Sequence, residues 1–482
     1  MIIQSAWQVS FAFMGSKPVV IEPRRAALSS DAGLLPIRQL DEQLGLTKQL
    51  AEALEDLRDP DQIEHTVAEM TRMRVYGILA DYADQNDHDV LRQDPVFKLL
   101  AGRSPEGNDL ASQPTLSRFE NMINIPSLWR LRDVLIDQFI ASFATPPQRV
   151  TLDIDVFDDP THGQQQLTFF HGYYDQYQYL PRAITCAEND GVVMVSLLHG
   201  TAHAALGVED DLPYLVQRLR AVWPDVRIVL RADSGFAVPK MYRLCEELRL
   251  DYTLGLGMNA VLKRHSEDLL AEAVRRYEET GQPQRLFCAF WYQAESWPYP
   301  RWTIVKAEAH AQGTNRRAVV SNRAGAWLLP EAAYDDYVQR GESENRNKEL
   351  KCGLAADRLS DHRFLANYFR LYLHTAAANL LVRLRQVVAD PPSPSGEQDL
   401  PVEALAGKDR RDYFNQRRER DPLGEGHPCT WRTRLIKVAA EITVRSRRVL
   451  VRLSACWPYL DHYRQVAEAV LRFRPTPSLN TG

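Results

Sequence analysis

Between Val150 and Phe157 the chain alternates: Val150, Leu152, Ile154 and Val156 are interleaved with Thr151, Asp153, Asp155 and Phe157. Period-two alternation is the pattern of a strand with one apolar face, so Asp153 and Asp155 are expected to share the other face. Two like charges side by side on a strand are unfavourable unless a cation, a partner or water compensates them. A solvated or capping role also fits either residue. Asp158, Asp159 and Pro160 read as the turn that ends this strand. A second strand is expected over Arg227–Leu230, with Asp233 just beyond it, Ser234 and Gly235 forming a turn, and Phe236 tucking back into the core. A polar residue at the carboxyl end of a buried strand stands where α/β folds carry chemistry. An Asp there can equally cap the helix expected from about Pro239.

Helical patterning is rich from about residue 36 to 140, as in LPIRQLDEQLGLTKQLAEALEDL from Leu35 to Leu57. Gln113-Pro114-Thr115 reads as a capped helix start with proline in the first turn. Arg118 and Asn121 on that helix could face a nucleic-acid groove, or belong to an ordinary helix bundle. More than a hundred residues separate Asp233 from the next acid of interest, Glu344, too many for a simple connection. Within them Arg285–Ser296, Arg301–His310 and Arg317–Asn322 read as strands of one mostly β segment. Its Trp291, Trp297 and Trp302 could stack on an unpaired base, although core packing is the commoner use of such rings. Asp357–Val388 reads as one or two mostly buried helices, and PPSPSGEQDLP from Pro391 to Pro401 as a linker.

The segment YVQRGESENRNKELK, from Tyr337 to Lys351, carries the most pointed chemistry. At about 100° per residue, Tyr337, Glu344 and Lys351 all fall within about 60° of Arg340 on one helix. An acid flanked by two cations and a phenol suits metal-dependent cutting of nucleic acid, because carboxylates hold the ion and cations hold phosphate. A surface ion pair between Arg340 and Glu344 is the plainer reading of that helix taken alone.

Composition narrows the class. The chain has 482 residues and a formal net charge of −5, a length that ordinarily makes two to four domains. Charge is nonetheless concentrated: Arg432, Arg434, Lys437, Arg445, Arg447, Arg448 and Arg452 face the single acid Glu441. Such a basic stretch suits DNA or a solvated face. Six scattered cysteines without paired spacing argue against a zinc site or disulfide framework and fit a reducing cytoplasm. His162, His171, His199 and His203 are better read as core or turn residues than as metal ligands. No apolar run is long enough to span a bilayer, no signal-peptide pattern is present, and no glycine-rich phosphate loop implies a nucleotide triphosphate.

Strand-end Asp, strand-end Asp and helical Glu, in that order, resemble the acidic triad of the DDE transposases. Asp233-Ser234-Gly235-Phe236 is similar to the second-acid motif of bacterial insertion-sequence enzymes. Tyr337, Arg340, Glu344 and Lys351 match their Tyr-Arg-Glu-Lys (YREK) signature, and Asp158–Pro181 resembles one subgroup; the resemblance covers roughly residues 110 to 455. It implies an α/β fold with a ribonuclease H-like catalytic domain (146–258 and 331–390) interrupted by the β-rich insertion (259–330). A helical, DNA-binding N-terminal region (1–145), a linker (391–401) and a basic C-terminal region (402–482) for DNA binding or dimerisation would flank it. By the same resemblance Asp155, Asp233 and Glu344 are the catalytic and metal-binding acids, with Asp153 the alternative first acid. Two Mg²⁺ per active site are implied, with Mn²⁺ able to substitute. Tyr337, Arg340, Lys351, Trp297, Trp302, Arg445, Arg447 and Arg448 are the expected DNA contacts. The implied activity is cut-and-paste transposition on double-stranded inverted repeats and target DNA, by a homodimer or larger synaptic complex in the bacterial cytoplasm at the nucleoid. A non-catalytic DNA-binding relative, or a metal-dependent nuclease with another role, are the alternatives.

Overall fold

The computed structural model describes residues 7–13, 17–23, 26–323, 329–389, 412 and 426–475. The linker expected at 391–401 lies outside the described residues. In chain order, three short strands (β1, Val9–Phe11; β2, Val19–Ile21; β3, Leu28–Ser29) precede seven helices. These are α1 (Leu34–Leu44), α2 (Leu46–Glu52), α3 (Val67–Leu79), α4 (His88–Leu91), α5 (Pro95–Ala101), α6 (Gln113–Asn121) and α7 (Ile125–Ile140). The helix starts are chemically marked. Thr66 and Glu69 form a reciprocal capping box on α3, and the Asn124 side chain accepts from Ser127 N at the start of α7.

A ten-stranded mixed sheet follows. Its strands are β4 (Arg149–Val156), β5 (Asp159–Pro160), β6 (Phe169–His171), β7 (Gln176–Cys186), β8 (Val192–Leu198), β9 (Arg227–Ala232), β10 (Asp251–Leu256), β11 (Gln284–Tyr292), β12 (Arg301–His310) and β13 (Gly313–Ser321). The α/β class that the resemblance implies is the class observed, with a large mixed sheet. β4, β9 and β10 run parallel and side by side, while β7 pairs antiparallel with β4, and β8 with β7. The connections between the parallel strands carry α8 (Val208–Val222) and α9 (Pro239–Glu247), as parallel pairing requires a crossover. Val150, Leu152 and Ile154 point into a core with Leu212, Leu215, Leu219 and Met241 from these helices.

Segment 259–330 holds two helices, α10 (Ala260–His265) and α11 (Glu267–Thr280), as well as its three strands. Its last strand, β13, pairs with β10, so β11–β13 prolong the central sheet instead of forming a separate sheet. α12 (Pro330–Val338) and α13 (Gly341–Lys348) then lead to α14 (Phe364–Val388), a single 25-residue helix buried on nearly all sides. Apolar residues all round are what a central helix needs. α14 fills the second core, between the sheet and the N-terminal helices. Glu120 on α6 is buried between Arg74 of α3 (2.6 Å) and Arg370 of α14, locking the layers together.

The last described stretch returns to the first. β14 (Ala440–Arg445) pairs with β15 (Arg448–Leu453) and with β3, and α15 (Leu460–Arg472) packs on α1 and α14. The approach is close enough to require glycine: a Cβ on Gly33 would lie 1.8 Å from the Leu435 carbonyl oxygen. No helix among the described residues is long and apolar enough to cross a membrane.

Candidate active site

Parallel pairing of β4 with β9 puts Ile154 opposite Ala232. Asp155 and Asp233 are each one residue further, so they emerge side by side on the face away from the Ile154 core. Strands lie about 4.8 Å apart, so these two carboxylates are direct neighbours. Asp233 also caps the 3-10 turn Ser234–Phe236, accepting from Gly235 N at 2.9 Å, and Phe236 is fully buried as the sequence suggested. Capping and proximity to Asp155 coexist in one residue.

Asp153, two residues earlier on the same face, has a different environment. Its oxygens accept from Arg231 Nε and Nη2 at 2.6 and 2.7 Å, and both side chains are buried. The compensation that the paired aspartates demand therefore comes, at Asp153, from a protein partner directly opposite on β9. Although burial works to discharge it, Arg231 is held above its ordinary value by Asp153. Asp155 has no such bidentate partner. Burial, and then the charges of Asp233 and Glu344, outweigh the pull of Arg340 and push its carboxyl up to about 6.

The single helix expected over Tyr337–Lys351 is not formed. α12 stops at Val338, a tight turn runs through Gln339 and Arg340, α13 starts at Gly341, and a wider π turn spans Glu349–Gly353. Three-residue backbone bonds (Arg340 N to Tyr337 O, Ser343 N to Arg340 O) tighten the junction. Gly341, a weak helix former, occupies it. The four side chains consequently do not form one stripe. Arg340 Nη2 binds Glu344 Oε1 at 2.7 Å and Nη1 lies 3.5 Å from Asp155 Oδ2, so one guanidinium bridges the strand acid and the helix acid. Lys351 instead binds Asp158 at 2.5 Å. Tyr337 packs 5.8 Å from the Arg340 guanidinium. Glu344 is half exposed and turned to Arg340.

Sequence reasoning missed Arg231 and Gly255. Arg231 carried a signal, since it shares a strand face with Asp233 two residues on. Gly255 on β10 is level with Asp233, and a Cβ there would meet the Tyr337 hydroxyl at 2.6 Å and Ser234 N at 3.0 Å. Its bare backbone admits both.

Among the described residues, no group of three His, Cys, Asp or Glu converges as a formed metal cluster. The donor set still fits a hard divalent ion: two adjacent strand-end carboxylates, one of them raised by burial and then by its neighbours' charge, gain from a cation between them. Glu344 can join them where Arg340 gives up its bridge.

The other expected contacts stand elsewhere. Trp297 is buried against Tyr242 and Tyr292, ring centroids 5.1 and 5.4 Å away. Trp302 packs on exposed Trp291 in an open cleft of about 390 Å³ that Tyr252 and Arg301 also line. That cleft lies at the amino-terminal end of β10, away from Asp233. Arg445, Arg447 and Arg448 are exposed around the turn of the β14–β15 hairpin. Asn121 is engaged internally, donating to Asp361 at 2.8 Å, while Arg118 is exposed.

In this mixed α/β sheet, neighbouring parallel strands end in paired carboxylates, and Arg340 bridges one of them to the helical Glu344. The chain belongs to the DDE transposase family: the family model described as transposase DDE domain group 1 matches residues 11–393. No curated protein matches the chain. Among solved structures it is similar to a piggyBac transposase in a synaptic complex with hairpin DNA, seen by cryo-electron microscopy. That likeness has a TM-score of 0.38 and 13% identity over 83% of this chain and 82% of the other.

Proposed function

We propose that this chain is an insertion-sequence transposase that binds terminal inverted repeats and performs metal-dependent cut-and-paste excision and strand transfer. The observation that carries the reading is the neighbouring pair Asp155 and Asp233, linked to Glu344 through Arg340. The strand order β8-β7-β4-β9-β10, an antiparallel meander followed by two parallel strands, supports a ribonuclease H-like catalytic domain. Asp155 and Asp233 would hold Mg²⁺ or Mn²⁺, with Glu344 completing the set. Such an ion, when bound, would neutralise charge on the phosphate being cut and help activate water.

The chain's own groups do the rest. Arg340 is suited to a bidentate grip on phosphate, and moving to it would free Glu344 and Asp155 together. Lys351 supplies a point charge beside Asp158, and Tyr337 braces Arg340. The exposed Arg445, Arg447 and Arg448 would contact the repeat or target duplex at a distance from the acids. Cutting two ends together calls for two active sites, hence a dimer or larger assembly acting on bacterial cytoplasmic DNA.

The test is cleavage of a duplex carrying the repeats that flank the gene, with Mg²⁺ or Mn²⁺, against the same duplex with the repeats scrambled. Cutting at the repeat ends alone supports the transposase. Equal cutting of both duplexes points to a general nuclease, and binding without cutting in either metal to a DNA-binding relative.

A further inference from the structure

Residues 167–177 read LTFFHGYYDQY. Tyr173 is 85% exposed, Tyr177 59%, and Phe169, Phe170 and Leu167 each more than 40%. Large apolar side chains scattered singly over a surface need no explanation, but a contiguous patch marks an interaction site. Between His162 and Pro181 there is no Lys or Arg, and the only acid is Asp175. The patch therefore offers ring faces and no means of gripping phosphate.

The hairpin that carries these rings is well supported. β6 pairs with the start of β7, so Phe170 lies opposite Tyr177 and His171 opposite Gln176. Asp175, at φ 54°, closes the turn by donating its N–H to His171 O at 2.9 Å. At the base, a Cβ on Gly200 would lie 2.3 Å from Gln178 O and 2.4 Å from Phe169 O, so the loop after β8 presses directly on hairpin backbone. Gln176 Nε2 donates to Asp158 at 3.0 Å, the same carboxylate that Lys351 binds. The hairpin is thus tied to the lysine expected to hold phosphate.

Its position follows from β7. Alternation puts Tyr177 on the same face as Ala183, whose partner in register is Asp155. Six residues at about 3.3 Å each carry Tyr177 roughly 20 Å beyond that level, a span comparable with the width of a DNA duplex. Gln176, next to Tyr177, reaches Asp158, three residues beyond Asp155 on the chain that leaves β4. Phe170 and Tyr177 are a cross-strand pair with ring centroids 5.6 Å apart, and Tyr173 and Tyr174 meet edge to face at 5.0 Å.

We propose that the Phe169–Tyr177 hairpin is a stacking platform for unpaired bases of the DNA strand entering the catalytic end, with Tyr173, Phe170 and Tyr177 supplying the rings. The proposal rests on the transposase reading above. Paired bases hide their faces inside the duplex, so uncharged rings on the face of the sheet that carries the acids are of use to bases that have left it. Stacking tolerates any base and needs no charge. Phosphates are left to Arg340 and Lys351.

The test uses the full-length protein and a duplex carrying the gene's flanking repeat, with 2-aminopurine placed in turn at the nucleotides on either side of the repeat end. Wild type, Tyr173→Ala, Tyr173→Phe and the double variant Phe170→Ala/Tyr177→Ala are compared. The expected result is a position-specific fluorescence change in the wild type that Tyr173→Phe keeps and both alanine variants lose. Tyr173→Ala should bind roughly 5- to 150-fold more weakly, the range for loss of one base–ring stack, and the double variant more weakly still, both with an unchanged salt slope because every phosphate-holding cation is still in place. Tyr173 is too exposed for its loss to disturb the fold, and an unchanged melting curve checks this. Wild-type fluorescence and affinity in both alanine variants would overturn the proposal while leaving the transposase reading intact. Reduced self-association with unchanged DNA affinity would also overturn it, assigning the patch to a second copy of the chain. A wild type that neither binds nor cuts the repeat would overturn the reading and the proposal together.

Discussion

Replacing Asp155 by asparagine should stabilise the protein at neutral pH while removing one of the acids proposed to hold the metal. Asp155 is half-buried and faces the charges of Asp233 and Glu344, with the Arg340 guanidinium 3.5 Å away as counter-charge; burial first, and then the neighbouring acids, raise its carboxyl from 3.8 to about 6. Two units at about 1.4 kcal/mol each put the cost of keeping it ionised on the order of 3 kcal/mol. The sign follows from proton counting. Between its unfolded value and about 6, the folded state binds the proton more tightly, so stability falls as pH rises through this window and the full cost is present above it. An asparagine side chain at this position would keep the shape and lose the charge. Urea unfolding in the absence of divalent ions should therefore find Asp155→Asn more stable at pH 8 by about 1–3 kcal/mol, with the difference shrinking towards zero near pH 4. Added Mg²⁺ should stabilise the wild type more than the variant, because binding to the folded state alone adds stability. Equal stability at pH 8, or a difference that does not change between pH 4 and pH 8, would refute this reasoning.

Other substitutions separate structure from chemistry. Asp153→Ala strands a buried guanidinium and should cost about 3–5 kcal/mol in urea unfolding, the opposite sign from Asp155→Asn. Gly255→Ala forces Tyr337 or the Asp233–Ser234 backbone to move and should lower repeat-end cleavage on the order of 10- to 100-fold, with the protein still folded by circular dichroism. Arg447→Ala and Arg448→Ala, at the exposed hairpin turn, should leave melting unchanged. Each should weaken repeat binding and reduce the salt slope by about 1 for every phosphate that the arginine had neutralised.

The strands were legible because their signal is local. Alternation marked β4, and the run Arg301–His310 coincides with β12 at both ends. Asp233 follows β9 closely enough for its strand-end place to be read from the sequence. Pairing was not legible, since a periodic pattern says which side chains share a face and nothing about which strand lies beside them. Asp153 and Arg231 are 78 residues apart in sequence, and only the β4–β9 register brings them together. The same holds for β13, whose pairing with β10 makes the insertion part of the central sheet. The helix between Tyr337 and Lys351 failed for another reason. Spacing alone assumes an unbroken rod, and Gly341 beside a tight turn broke it into α12 and α13. Arg340 still reached Glu344 because that i, i+4 pair straddles only the first turn of α13.

The central claim is that Asp155, Asp233 and Glu344 form one DNA-cutting site, and cleavage with binding measured in parallel tests it most directly. On repeat-end DNA with Mg²⁺ or Mn²⁺, Asp233→Asn and Glu344→Gln should each abolish cutting while affinity stays within a few-fold of the wild type. Cutting that persists in either variant would contradict the assignment.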